Sequence, residues 1–134
     1  MTQVFWKEFK NMLLYHKIVE WTEDKLVLDN GIEITIEMTD SDCCADAYGT
    51  FSDVKLDAVI TDISEPKKIY FDDGDTYGNT AVVKFLHNRN LICKANGYAD
   101  AGNGGYYFSI ASFVLTLPKD KNEQFFCEFV DSED

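Results

Sequence analysis

Residues 99–115 read ADAGNGGYYFSIASFVL, and they join a glycine-rich turn to the longest run of strand-forming residues in the sequence. Glycine adopts positive φ angles at little steric cost, so Gly102, Gly104 and Gly105 predict a tight turn at the start of this stretch. In the run that follows, small and polar side chains alternate with large apolar ones, which predicts a strand covered on one face or on both. We therefore expect other strands to pack around it.

Short alternating segments on both sides of this stretch predict further strands. Residues 32–38 place four apolar side chains between polar and acidic ones, a pattern typical of a strand with one face in water. Asn30-Gly31 comes directly before them and favours a hairpin turn. The other predicted strands are residues 17–21, 25–28, 47–51, 57–63, 67–71, 81–86, 90–95 and 125–130.

The N-terminal residues show helical spacing instead. Phe5, Phe9, Met12 and Leu13 fall on one face of a helix, and Thr2 is a suitable N-cap, so a helix is predicted over residues 2–14. The apolar face of this helix is expected to pack on the β-sheet.

The predicted elements indicate an α+β fold in a single domain, residues 1–134. It consists of the helix, a β-rich body over residues 17–130 and a short acidic tail, residues 131–134. The β-rich body is predicted to be a mainly antiparallel, bent sheet or a partly open barrel, with the N-terminal helix packed on it.

The net charge of the chain indicates which kinds of molecule it can bind. Twelve Lys and Arg residues against 24 Asp and Glu residues give a net charge of −12. Such a surface repels phosphate backbones, so we expect no direct nucleic-acid binding and instead attraction to a basic protein, unless the acidity serves only solubility. Charged residues interrupt the N-terminal apolar pattern, and no apolar run reaches the ~20 residues of a membrane span. We therefore expect the protein in the cytoplasm and not in a membrane.

Two clusters of carboxylates are the candidate contacts with a basic partner. The first flanks a pair of cysteines, and the second lies in a loop whose spacing does not match a calcium-binding loop. Their members are Asp40, Asp42 and Asp46 in the first cluster, and Asp72, Asp73 and Asp75 in the second.

The four cysteines, Cys43, Cys44, Cys93 and Cys127, have two interpretations. Their number matches a tetrahedral zinc site made of thiolates. Their spacing lacks paired Cys-x-x-Cys motifs, and Cys93 and Cys127 alternate with apolar residues as buried core thiols do. In an extended chain, Cys43 and Cys44 are expected to point to opposite sides, one to the core and one to the surface.

No pattern in the sequence is typical of catalysis. His16 and His87 have no obvious nucleophile beside them, and the cysteines lie in strand patterns without a helix start that lowers a thiol pKa. The glycine-rich turn precedes a strand, whereas phosphate-binding loops open helices. We therefore expect a protein that is not an enzyme.

Two motifs carry a resemblance to a known family. Residues 42–45, Asp-Cys-Cys-Ala, and residues 99–108, which include Gly-Asn-Gly-Gly-Tyr-Tyr, resemble a family of small uncharacterised proteins of bacteriophages and prophages. The resemblance extends over about residues 17–117. The size and acidity are similar to those of anti-CRISPR proteins, in particular of streptococcal-phage inhibitors of the type II RNA-guided nuclease. The resemblance to these inhibitors implies a zinc ion as well.

The functional hypothesis follows from charge and resemblance together. We expect an acidic, phage-encoded inhibitor that binds a basic nucleic-acid-handling host protein in the host cytoplasm, above all the type II CRISPR nuclease, and blocks DNA loading or cleavage. The alternative is a zinc-stabilised phage accessory or virion-associated protein with no inhibitory role.

Overall fold

The computed structural model describes residues 1–120 and 122–133, and these residues form one α-helix, one short 3₁₀ turn and eleven strands in two sheets. The predicted α+β class with mainly antiparallel sheet is confirmed. The bounds are β1 Thr2–Gln3, α1 Trp6–Leu13, β2 Ile18–Thr22, β3 Lys25–Leu28, β4 Glu33–Ser41, β5 Ala47–Ser52, β6 Asp62–Ile63, β7 Lys67–Asp72, β8 Tyr77–His87, β9 Asn90–Asp100, the 3₁₀ turn Asn103–Gly105, β10 Ser109–Thr116 and β11 Gln124–Asp131.

The first sheet is built around β10, the strand that follows the glycine-rich turn. Its strands lie in the order β1-β11-β10-β4-β3-β2, with β1 parallel to β11 and the other neighbours antiparallel. Residues 111–115 of β10 are all buried, which agrees with a strand covered on both faces. The stretch from which the sequence analysis started is therefore an interior strand.

The second sheet is built around the long hairpin of β8 and β9. Its order is β5-β9-β8-β6, and β7 pairs with the part of β8 that β6 leaves uncovered. The described residues thus form two open sheets that pack against each other and do not close into a barrel.

Phe113 of β10 lies where the two sheets and the helix meet. Its ring stacks on Phe129 of β11 at 4.5 Å and on Phe9 of α1 at 4.8 Å, and meets the edge of Phe85 of β8 at 6.3 Å. Phe113 has no exposed surface. One apolar core therefore joins both sheets and the helix.

The helix is shorter than the predicted residues 2–14. Thr2 and Gln3 pair with β11 and cannot cap a helix. The helix begins after Phe5, whose backbone N–H donates to the Glu8 carboxylate at 3.0 Å. Phe5 is 68% exposed, so it does not extend the apolar face that Phe9 and Leu13 form. In the described ranges, no helix has the length and apolar character to cross a membrane.

Two of the predicted strands have other bounds in the structure. Of residues 57–63, Asp62–Ile63 form strand, because Asp57 has a φ of +67° that interrupts extended backbone. The strand predicted at residues 81–86 is longer, since β8 begins at Tyr77 directly after the acidic loop. The predicted tail is held by the fold as far as it is described, since the Ser132 backbone N–H donates to the Ser109 carbonyl at 3.0 Å. Asp134 lies outside the described residues.

Candidate functional site

Three loops meet at one end of the molecule. They are residues 42–46 between β4 and β5, residues 73–76 between β7 and β8, and residues 101–108 between β9 and β10. The Gly104 backbone N–H donates to the Asp75 carbonyl at 2.8 Å, which joins the second loop to the third. The glycine-rich turn thus organises this surface as well as the strand that follows it.

Asp100 joins the first loop to the third. One oxygen of its carboxylate accepts the backbone N–H groups of Asp46 and Gly102, both at 3.0 Å, and the other oxygen accepts the Tyr98 hydroxyl at 2.9 Å. These three bonds hold β5 and the glycine-rich turn at a fixed separation. The sequence analysis did not single out Asp100, and its place directly before the glycines is the signal that marks it.

Gly102 lies where the first and third loops are close together. Its φ of +72° belongs to the left-handed region, and a Cβ atom there would lie 2.7 Å from the Cys44 carbonyl oxygen. A side chain at this position would therefore separate the loops or strain the backbone.

Both predicted carboxylate clusters lie at this end. Asp40 pairs with Ile110 at the beginning of β10, and the Asp42 backbone N–H donates to the Phe108 carbonyl. The three loops that meet here, residues 42–46, 73–76 and 101–108, contain no Lys or Arg. We call this surface the acidic end, and its carboxylates are Asp40, Asp42, Asp46, Asp72, Asp73, Asp75 and Asp100.

The loop between β7 and β8 has a shape fixed by its own carboxylates. Asp72 accepts the backbone N–H of Gly74, and Asp73 accepts the N–H groups of Asp75 and Thr76, each at 3.0 Å. The bonds from Thr76 and then Asp75 lower the pKa of the Asp73 carboxyl. The cluster therefore presents its carboxylates on an ordered turn, and the hydrogen bonds favour the ionised form of Asp73.

The acidic end also carries most of the tyrosines. Tyr48 stacks on Tyr98 at 4.8 Å, and Phe71 stacks on the same ring at 5.4 Å. Burial raises the pKa of Tyr98, as do its hydrogen bond to Asp100 and nearby negative charges, so its hydroxyl stays a neutral donor. Of the seven tyrosines in the chain, six lie here, namely Tyr48, Tyr70, Tyr77, Tyr98, Tyr106 and Tyr107.

The four cysteines occupy two kinds of environment. Cys43 and Cys44 are both exposed, so the prediction that one of them faces the core is wrong. The reason is the left-handed φ of +79° at Cys44, which interrupts the alternation of extended chain. Cys93 and Cys127 are buried, and burial raises the pKa of Cys93 to about 12 and that of Cys127 to about 11.

A zinc ion would need three or four of these ligands close together. Within residues 1–120 and 122–133, no group of three or more His, Cys, Asp or Glu side chains is placed to hold a metal ion. The described arrangement therefore does not gather Cys43, Cys44, Cys93 and Cys127 as a tetrahedral site requires. Zinc stays a prediction of the sequence.

The two histidines have structural partners. His16 Nδ1 lies 2.8 Å from Asp29 Oδ1, and His87 Nδ1 lies 2.8 Å from the Val59 carbonyl oxygen. Both imidazoles thus connect neighbouring segments of the fold.

The part of the chain that carries these features matches a known family. Residues 11–114 correspond to a domain of unknown function, DUF7448. The chain belongs to this family. The DUF7448 region includes both carboxylate clusters, Asp100 and the glycine-rich turn, and it ends within β10. Comparison with curated proteins and with solved structures gave no match.

Proposed function

We propose that the acidic end is a protein-binding surface with which the chain inhibits a basic, nucleic-acid-handling protein. The observation that carries the proposal is the meeting of seven carboxylates and six tyrosines on three interlocked loops and the strand ends that adjoin them. The partner expected from the sequence resemblance is the type II CRISPR nuclease of a phage host.

Charge supports a basic partner. With a net charge of −12 and no Lys or Arg in the loops of the acidic end, the chain repels nucleic acid and attracts a positively charged surface. A groove that binds phosphate backbones is such a surface. Occupation of this groove by the acidic end would exclude DNA through both volume and charge.

The tyrosines can supply binding affinity that charge alone does not provide. Exposed ion pairs contribute little to affinity, whereas tyrosines buried on binding are enriched among the residues that dominate it. Tyr106 is 85% exposed and Tyr48 is 52% exposed, so both are available to a partner. Carboxylates would then speed the encounter, and the aromatic rings would hold the complex.

The order of the loops supports tight binding. Asp100 and the glycine-rich turn fix the three loops to one another through hydrogen bonds with backbone groups. Asp73 fixes the turn of its own loop. A preorganised surface loses less conformational entropy on binding than a flexible one. No chemical step is needed for inhibition of this kind.

The test is a DNA-cleavage assay with the purified type II nuclease, its guide RNA and increasing amounts of the protein. We expect cleavage to fall with occupancy, and nuclease incubated first with target DNA to be less sensitive than free nuclease. Unchanged cleavage at every concentration would contradict the inhibitor proposal. Sedimentation with virus particles, together with stoichiometric zinc in elemental analysis, would instead support the accessory-protein alternative.

A further inference from the structure

Cys43 and Cys44 form an exposed pair of adjacent thiols at the acidic end. Their Sγ atoms lie 2.8 Å apart, and both residues are open to solvent. The separation is shorter than an ordinary contact between two sulfur atoms that are not bonded, so no other atom separates them. Both thiols of such a pair can take part in one reaction.

The backbone holds the pair in place from both sides. Before it, Asp42 and Phe108 exchange two hydrogen bonds, one between their backbones at 2.9 Å and one from the Phe108 N–H to the Asp42 carboxylate at 3.2 Å. After it, Asp46 and Asp100 exchange two more, at 2.9 and 3.0 Å. Since the backbone of Cys44 has a left-handed φ angle, both thiols are exposed to solvent on the same side.

The two thiols can exchange roles in the pair. Either sulfur can donate the hydrogen bond between them, and the other sulfur then keeps its lone pairs for an incoming electrophile. The buried Cys93 and Cys127 are shielded from the same reagent, and burial keeps them protonated.

We propose that Cys43 and Cys44 form a site of reversible oxidation, at which hydrogen peroxide closes a disulfide between the two neighbours. One of the two sulfur atoms attacks the peroxide O–O bond and forms a sulfenic acid, and the departing hydroxide takes the thiol proton and leaves as water. The sulfur of the other cysteine then attacks the sulfenic sulfur, the S–O bond breaks, and a second water leaves with the second thiol proton. Two thiols are oxidised by two electrons, and one hydrogen peroxide is reduced to two waters.

The bridge is expected to be easy to reduce. Adjacent Cα atoms are about 3.8 Å apart across a trans peptide, whereas disulfide-linked Cα atoms usually lie ~4.4–6.8 Å apart. Closure of the bridge therefore strains the backbone, and strained, exposed disulfides are the labile ones. A cellular thiol such as glutathione would reopen it.

The test is intact-protein mass spectrometry of dilute, reduced protein after exposure to hydrogen peroxide, with peptide mapping of the products. Wild type is expected to lose the mass of two hydrogen atoms, to lose alkylation at both Cys43 and Cys44, and to regain both on addition of glutathione. Cys43→Ser and Cys44→Ser each leave a single thiol without a partner, so both variants are expected to gain oxygen instead. These positions are exposed, so neither change disturbs the core.

The positive control is free glutathione in the same reaction, because its oxidation shows that the peroxide is active. If it is oxidised while Cys43 and Cys44 stay alkylatable, the proposal is overturned. The proposal is also overturned by oxygen addition that maps to Cys43 or Cys44 of wild type, or by a bridge between two molecules. Lost hydrogens that map to Cys93 or Cys127, or a bridge that glutathione does not open, would overturn it as well.

Discussion

Replacement of Gly102 by alanine measures how closely the loops of the acidic end pack. Gly102 has φ +72° and ψ −179°, a region that essentially only glycine adopts, and alanine there costs about 1–3 kcal/mol. The new Cβ would also lie 2.7 Å from the Cys44 carbonyl oxygen and 2.7 Å from the ring of Tyr107. The backbone oxygen cannot rotate away, and overpacking of this kind costs a further ~1–3 kcal/mol. We expect Gly102→Ala to lower the free energy of unfolding by about 2–6 kcal/mol, measured by denaturant titration.

The chain offers a matched control in Gly74. Its φ of +93° is also left-handed, but nothing lies within 4 Å of the position a Cβ would take. Gly74→Ala therefore carries the backbone term alone and is expected to cost about 1–2 kcal/mol. If the two variants unfold at the same denaturant concentration, the reasoning that Gly102 is needed for close approach to Cys44 is refuted.

Phe113→Ala removes the ring that joins both sheets and the helix, and it should lower the free energy of unfolding by about 3–5 kcal/mol. Tyr106→Ala on the surface should change the free energy of unfolding by less than ~0.5 kcal/mol. Equal effects of the two changes in denaturant titration would contradict the central position of Phe113 in the core. The second prediction concerns alkaline pH: burial raises the pKa of Cys93 to about 12 and that of Cys127 to about 11, above the ordinary 9.0. The stabilisation is complete below pH 9 and is lost as the pH rises toward these values, so the melting temperature should fall there, and less steeply in a Cys93→Val, Cys127→Val variant. An equally steep fall in that variant would assign the loss to other groups.

The fold was predictable from the sequence where one local pattern acts alone. Each of three segments has a pattern that only one local structure satisfies, and the protein forms that structure. These segments are the glycine-rich turn, the alternating residues 32–38 and the apolar run of β10. The prediction was wrong where a distant partner overrides local preference. Thr2 is a good N-cap, but pairing with β11 takes it into a strand, and no local pattern reports that.

The acidic end was predictable in part. Carboxylates that are clustered in sequence were recognised, but charge clusters do not reveal that residues 42–46 and 73–76 meet at one end. That meeting depends on Asp100 and on the crossing of β9 to β10, which are long-range features. The exposure of both Cys43 and Cys44 depends on a single left-handed residue, which the Cys-Cys sequence does not indicate.

The most direct test of partner binding by the acidic end is the rate at which the protein associates with the type II nuclease, measured over a range of salt concentrations. Asp72→Asn, Asp73→Asn and Asp75→Asn together remove three charges, and asparagine retains the acceptors that shape the turn. Asp40→Asn, Asp42→Asn and Asp46→Asn form a second set.

The matched control is Asp53→Asn, Asp57→Asn and Asp120→Asn, in the exposed loops that leave the opposite ends of β5 and β10. We expect each acidic-end set to slow association roughly tenfold at low salt, with the difference shrinking as salt screens the charges, and the control set to have little effect. Equal slowing by all three sets, or by none at any salt concentration, with melting curves unchanged, would contradict binding through the acidic end.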